Sequence, residues 1–491
     1  MEKRKVEDKI REEIEKLLDL SDSYIGKDIG VHEMESGILA QLLKLGLAIL
    51  KVIISQKLHQ LGAYEVADEF YKSTGKKPRK YLSLFGVLTI IRPSYWSEDL
   101  GEFHKLDEHL KLPKGSYWSY NIQNLVGISS SETDYRESVG IMNALLDLGL
   151  SGKSSERNAE RLGEYVDEFY DLNSYQEEED GQFFIAGFDG KGVPKIKPAL
   201  ELRDNPKERL ARGEKKGIKQ MATVSVTSSF TPEKRTAESI ITGLMGREKT
   251  ENSQEHLKVL PKKKTDNKMH KNIHRRAFLA NQEKAIEYGI IDLKARMTNP
   301  KSRFIVPIDA GIGLEDKVLA MIKKYKLKSK FDGIVLDIVH VSEYVWDAAT
   351  AIFGEKSKLR RVFVREMLED LLKGKTEEVI EYLKQNRDKT NLTSNREKQV
   401  NKTITYFTNH KHKMNYQWFL KKGYPISSSI IESTCKHLVK DRMEQSGMRW
   451  SSSGAQNMMD LRSVKINNDM AEFIEFVIQK DRKVNLSKIA A

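Results

Sequence analysis

The sequence predicts an α/β core, a mixed sheet flanked by helices, joined to an all-α amino-terminal region and interrupted by a large helical insertion before its last segment. Three observations predict this. Short runs rich in β-branched and aromatic residues recur between positions 183 and 341. Segments of helical period separate them. From 346 to 424 only helical spacing is present, with Trp346, Phe353, Val362, Leu368, Leu371, Val379 and Leu383 as the apolar positions.

The chain has 491 residues, 39% hydrophobic and 31% charged. That balance is ordinary for a folded chain of several domains and too apolar for a disordered one. The apolar stretch Leu42 to Ile54 contains Lys44 and Lys51 and falls short of the ~20 residues of a membrane span. The first residues lack the pattern of a secretory signal, so a cytoplasmic, nucleoid-associated location is expected. Cys435 is the single cysteine, which excludes internal disulfides and zinc-finger spacings. A net charge of +12 makes nucleic acid the expected partner, because Lys and Arg clusters release counterions from a polyanion. Two clusters stand out: Lys207, Arg209, Arg212, Lys215, Lys216 and Lys219, then Lys262, Lys263, Lys264, Lys268, Lys271, His274, Arg275 and Arg276.

Taken in order, residues 1–75 read as a helical packing domain, with Leu39, Leu42, Leu43, Ala48, Leu50 and Ile53 at three-and-four spacing. In 76–180, Tyr81 to Arg92 suits a strand or hairpin. Asp134 to Leu148 and Ser154 to Tyr170 form two helices, open to a helix-turn-helix or to plain packing. The acidic run Glu177 to Asp180 marks a linker. The core's first part, 181–345, opens with the strand Phe183 to Phe188, which delivers Asp189 at its exit; Met221 to Val226 is its hairpin partner. His270 to Met297 reads as a long helix. Phe304 to Ile308 is a strand ending in Asp309, followed by the helix Leu314 to Tyr325, and Gly333 to Val341 is a strand carrying Asp337 and His340. The insertion 346–424 follows, and 425–491 completes the core with a helix bearing Glu432.

Two carboxylates at the exits of neighbouring strands can share hard divalent cations, leaving positions for water and phosphate. A third acid, Glu432, would finish the cage; its bland alternative is a helical ion pair with Lys436.

Four blocks then carry a family resemblance: Asp189-Gly-Lys-Gly-Val-Pro194; Gly213-Glu-Lys-Lys-Gly217 running into Met221-Ala-Thr-Val224; Leu336-Asp-Ile-Val-His340 with Glu343-Tyr-Val-Trp346; and Gly423-Tyr-Pro-Ile426, Ile431-Glu432, His437 to Glu444 and Gly447-Met-Arg-Trp450. Covering roughly 185–475, they resemble bacterial insertion-sequence transposases of the Kra type, related to the Mutator-like group with its Asp, Asp, C/D-x-x-H and Glu arrangement. The resemblance implies an RNase H-like DDE core with Asp189 as the first acid, Glu432 as the last, and Asp309 preferred to Asp337 as the second. Asp337 with His340 corresponds to the D-x-x-H motif, which could equally be a hydrogen-bonded tether. Two Mg²⁺ ions, or Mn²⁺, held by Asp189, Asp309 and Glu432 are implied, acting on double-stranded DNA at transposon ends and target. The chain departs from the pattern at Ser427-Ser428-Ser429, where a Gly-containing turn is usual, and at Ala310-Gly311.

Expected phosphate contacts are Lys191, Lys215, Lys216, Lys219, Lys263, Arg275, Arg276, Lys436, Lys440, Arg442 and Arg449, with the Gly213 to Lys219 hairpin as a clamp. Trp450 reads as core rather than as a platform for an extruded base. A homodimer or higher homo-oligomer is expected because two ends must be synapsed, and the helix Ile38 to Leu61 is open to that role or to a bundle core.

Overall fold

The computed structural model describes residues 2–62, 72–98, 101–172, 180–196, 219–245, 270–309, 311 and 313–487. The basic stretches holding Lys215, Lys216 and Lys263, and the expected clamp up to position 218, lie outside the described residues. The chain forms two compact units, Met1–Leu172 with Asp460–Ala491, and Asn173–Met459. The last part of 425–491 therefore leaves the core and completes the first unit.

In the first unit, α1 (Glu2–Tyr24) and α2 (Val31–Gly62) form a helical hairpin. Tyr24 covers Gly37, where a Cβ would stand 1.9 Å from the phenol oxygen, and the Gln41 amide donates to Glu13 at 2.8 Å. Over Val31–Leu58, α2 is long and apolar enough to cross a membrane, with mean hydropathy 2.0, further than the Leu42 to Ile54 stretch suggests. One side of it packs Ile54, Leu47 and Leu50 onto Leu88 and Ile90. Those two belong to an antiparallel sheet of β1 (Lys72–Ser83), β2 (Gly86–Ser97) and β3 (Gly101–Phe103), the expected hairpin plus one short strand. Asp107 in α3 (Lys105–His109) accepts from Arg92 and, at 2.5 Å, from Arg79.

Four helices follow: α4 (Tyr120–Glu132), α5 (Tyr135–Leu146), α6 (Gly152–Gly163) and α7 (Val166–Leu172). Ser119, Asp134 and Ser151 cap the first three, each accepting from backbone N–H groups of the first turn. The single helix expected over Ser154 to Tyr170 breaks after Gly163. Ser138 meets Ser155 at 2.7 Å, and the Asn158 amide donates to the Gln123 carbonyl at 2.9 Å, so α6 packs on both α4 and α5.

The second unit is built on a five-stranded mixed sheet in the order β6-β5-β4-β7-β8, flanked by helices. Its strands are β4 (Phe183–Pro194), β5 (Lys219–Phe230), β6 (His270–Leu279), β7 (Arg303–Ile308) and β8 (Phe331–Leu336). β4 pairs antiparallel with β5 and parallel with β7, and β7 pairs parallel with β8. Phe184, Ala186 and Phe188 face one side with Phe304, Val306 and Ile308, packed by α9 (Gln282–Arg296) and α10 (Leu314–Lys324). Ile185 and Ile305 face the other side, toward α8 (Ala237–Met245), α11 (Ile338–Phe353), α12 (Lys358–Leu372), α13 (Thr376–Lys389), α14 (Ser394–His410) and α15 (Tyr416–Lys422). Both faces are covered, which explains the near-continuous apolar runs.

Three expectations need correction. His270 to Met297 is a strand and a helix: Ala280 turns with φ +55° and Asn281 caps α9 by accepting from Lys284 N–H. Gly333 to Val341 stops being a strand at Leu336, because the Asp337 carboxylate accepts from Val339 N–H and starts α11. Asp180 is no solvated linker residue; its carboxylate receives two bonds from the fully buried Arg296, at 2.7 and 2.8 Å. The same guanidinium reaches Asp292, which also meets His274 at 2.8 Å.

The last core segment begins at α16 (Ser429–Thr434), runs through a π-helical turn, Cys435–Lys440, and ends in α17 (Asp441–Met443). α18 (Ser452–Ile466) leads out of it toward α19 (Met470–Ser487). In the first unit α19 buries Asp481, which accepts from Tyr120 at 2.7 Å, Arg161 at 2.6 Å and Tyr165 at 2.9 Å.

Candidate active site at the ends of three strands

Ile185 of β4 is level with Ile305 of β7, and Ile308 of β7 is level with Leu336 of β8. Continuing both registers sets Asp189, four residues past Ile185, level with Asp309, four past Ile305; Asp337, one past Leu336, shares that level. Side chains level across parallel neighbours point to one face, here the face of Ile185 and Ile305. Asp189 is not at its strand's exit, since β4 continues to Pro194 along β5; it lies beyond the stretch where β4 pairs with β7.

The three carboxylates differ in their surroundings. Asp309 is half-buried, and burial followed by the negative charge of Asp189 raises its carboxyl above the usual range; the Gly311 N–H only partly offsets this. Asp189 accepts from Gly190 N–H at 2.6 Å. Asp337 is buried and fully engaged, one oxygen on Val339 N–H at 2.8 Å and the other on the Ser428 hydroxyl. That bond gives Ser428 a use that a glycine turn could not supply. Asp337 is thus an N-cap and tether, with Asp309 the more accessible acid.

His340, in the first turn of α11, contacts Glu343 at 3.3 Å. Burial lowers its pKa, but the Asp337, Glu343 and Asp309 carboxylates outweigh this and leave it raised. Helix α14 adds Tyr406, stacked on Tyr344 with ring centroids 3.8 Å apart. Burial first, then Tyr344, Asp309 and Asp337, push its hydroxyl well above the ordinary range. Sequence reasoning missed Tyr406, which sits deep in the insertion among unremarkable helical positions.

Glu432 lies on the same face of the sheet, because Ile431 packs on Gly187 of β4. Its carboxylate is exposed, and no described residue holds it by a hydrogen bond or ion pair. Among the described residues no three His, Cys, Asp or Glu side chains are grouped to hold a metal ion. Asp189 and Asp309 form a pair. Cys435 is buried one turn after Glu432; burial and then Asp189 push its thiol far above the usual range, which disfavours the thiolate.

The basic residues also divide. Lys436, Lys440 and Arg449 are exposed and Lys191 is half-buried, two positions beyond Asp189 on its strand. Lys219 pairs with Glu444 at 2.6 Å. Two expected DNA contacts are corrected: Arg442 is fully buried, 4.8 Å from the Trp450 ring centroid, and Arg276 is buried between Phe278 and Tyr288. Arg275 is half-buried, and its guanidinium donates to the Ile273 carbonyl at 3.1 Å. Trp450 is core: its indole donates to Met443, while its backbone pairs with Pro194 and Ile196 at 3.0 Å each. This clasp ties the end of β4 to the segment after Glu432.

No known family model matches this chain, and no curated protein matches it.

Proposed function

We propose that this chain is a DDE-type DNA transposase of a bacterial insertion sequence, with an RNase H-like core that cuts element ends and joins them to target DNA. One observation carries the reading: Asp189 of β4 and Asp309, just past the end of the neighbouring parallel β7, lie close enough for the negative charge of one to raise the other.

The donor chemistry fits a divalent cation. Both groups are carboxylates, the hard oxygen ligands that Mg²⁺ and Mn²⁺ favour, and a cation would relieve the repulsion that raises Asp309. Asp189 and Asp309 would hold it, with the unengaged Glu432 turning in as a third donor. When bound, such ions stabilise the attacking and leaving oxygens of an in-line phosphoryl displacement. Lys191, Lys436, Lys440 and Arg449 bind phosphates and set the strand's position without reading bases. Ser428 and the α11 N-terminus keep Asp337 fixed behind Asp309. No side-chain nucleophile is required.

A second reading is a transposase-derived DNA-binding regulator without catalysis. One experiment separates the two. Duplexes carrying the terminal repeats that flank the gene are incubated with the protein and Mg²⁺ or Mn²⁺. The transposase reading expects end cleavage and 3′-end joining, both lost in Asp189→Asn and Asp309→Asn while end binding persists. Binding with no cleavage in either metal means a regulator, and cleavage without joining means a nuclease or resolvase.

A further inference from the structure

We propose that the exposed face of α2 is a self-association surface, on which a second copy of this chain docks its own α2 antiparallel.

Val31, Ile38, Leu42, Ile49 and Ile53 follow one another at steps of seven, four, seven and four residues, which at ~3.6 residues per turn keeps them in one narrow stripe. They are 70, 41, 45, 38 and 46% exposed. The stripe runs about 33 Å at ~1.5 Å per residue, and the half-exposed Phe85 ring, packed against Gly46, widens it. Scattered exposed apolar residues need no explanation, but a continuous stripe of this length does. The other sides of α2 are already occupied, by α1 through Gln41 and Gly37 and by β2 through Leu47, Leu50 and Ile54.

Charge selects the occupant. Glu35 and Lys57 are both exposed and border the stripe on the same side near its opposite ends. An antiparallel second copy sets Ile38 against Ile49 and Leu42 against Leu45, and brings each Glu35 near the other copy's Lys57. A parallel pair would hold Glu35 and the other copy's Lys57 at opposite ends of the helices and gain no such pairing. An anionic membrane would meet Glu35 at one end of the stripe, and a membrane span would have to shed α1, whose sequence is dense in Lys, Arg and Glu. A two-fold, self-complementary patch is what closed dimers use.

The test uses the full chain in light scattering at about 50 µM, a concentration ample for a micromolar dimer. The expected mass is twice 56.4 kDa, halved in Leu42→Glu/Ile49→Glu with unchanged far-UV circular dichroism. Lys57→Glu should weaken the dimer, and Glu35→Lys/Lys57→Glu should restore it without disturbing the apolar stripe. Because Cys435 is buried, introduced thiols report cleanly: Leu42→Cys should cross-link to itself on oxidation and Val31→Cys should not. A monomeric wild-type chain, cross-linking at Val31, or a monomer that floats with phosphatidylglycerol vesicles would each overturn the proposal. None of these outcomes depends on the catalytic reading.

Discussion

Ile431 rests on the bare α-carbon of Gly187: a Cβ there would lie 2.0 Å from Ile431 Cδ1 and 2.1 Å from Cγ1. The helix that carries Glu432 reaches the sheet at this point because position 187 has no side chain. Gly187→Ala is therefore expected to push α16 off β4 and cost about 1–3 kcal/mol by overpacking. Urea denaturation checks the cost, and Ile431→Ala in the same chain should recover most of it. Additive losses in the double mutant would separate the two residues.

Asp309 gives a pH dependence of definite sign. Its folded pKa is raised, so the folded protein holds the proton more tightly than the unfolded chain does. Stability from this group is present below the ordinary carboxylate value and is lost as pH rises through that value toward the raised one. The urea midpoint of wild type relative to Asp309→Asn should fall across that window in chelator-treated protein. An unchanged difference between pH 3.5 and 7 would remove the Asp189–Asp309 coupling.

Divalent cations should reverse that trend. Mn²⁺ at millimolar concentration is expected to raise the melting temperature of wild type near neutral pH, because a ligand that binds only the folded state stabilises it. Asp189→Asn and Asp309→Asn should show little response, and Asp337→Ala should keep its response while losing stability through the cap. Differential scanning fluorimetry with and without EDTA reads all four proteins. Equal shifts in all of them would mean the cation binds elsewhere.

The buried Arg296 offers a stability test away from the acids. Breaking its pair with Asp180 by Asp180→Ala removes the two short carboxylate bonds of a buried guanidinium and leaves it only the longer ion pair with Asp292 at 3.3 Å, with an expected cost of about 3 kcal/mol. Arg296→Met, which removes the charge itself, leaves Asp180 and Asp292 to repel each other and should cost a similar amount. Adding Asp180→Asn to Arg296→Met should recover part of the loss, as measured by guanidinium denaturation.

The strands β4, β5 and β7 were legible because their apolar runs are continuous, and Asp309 because a strand, an acid and a helix follow in order. Asp189 was legible as a residue but not as a mid-strand one, since the β5 pairing that extends β4 through Gly190 and Gly192 lies beyond local pattern. β6 was hidden by its own composition: in His270 to Arg276 the basic residues that line the buried face look like solvated surface. The same ambiguity concealed Arg442, covered by the Trp450 ring, and Arg296, whose partner Asp180 comes from a distant part of the chain. The Ile338 and Val339 that follow Asp337 suggest a strand, yet the capping bond from Val339 N–H turns those residues into helix. The tether from Ser428 could not be anticipated, as 91 residues separate the partners.

The Asp481 cluster bears on how the polypeptide matures during synthesis. The carboxylate that neutralises Arg161 and receives the Tyr120 and Tyr165 hydroxyls arrives 320 residues after Arg161. A growing chain must expose those groups until translation has passed the whole second unit, so that unit can close first although it comes later in the message. Premature termination before residue 481 would leave the earlier unit with a stranded cation, a natural target for quality-control proteases.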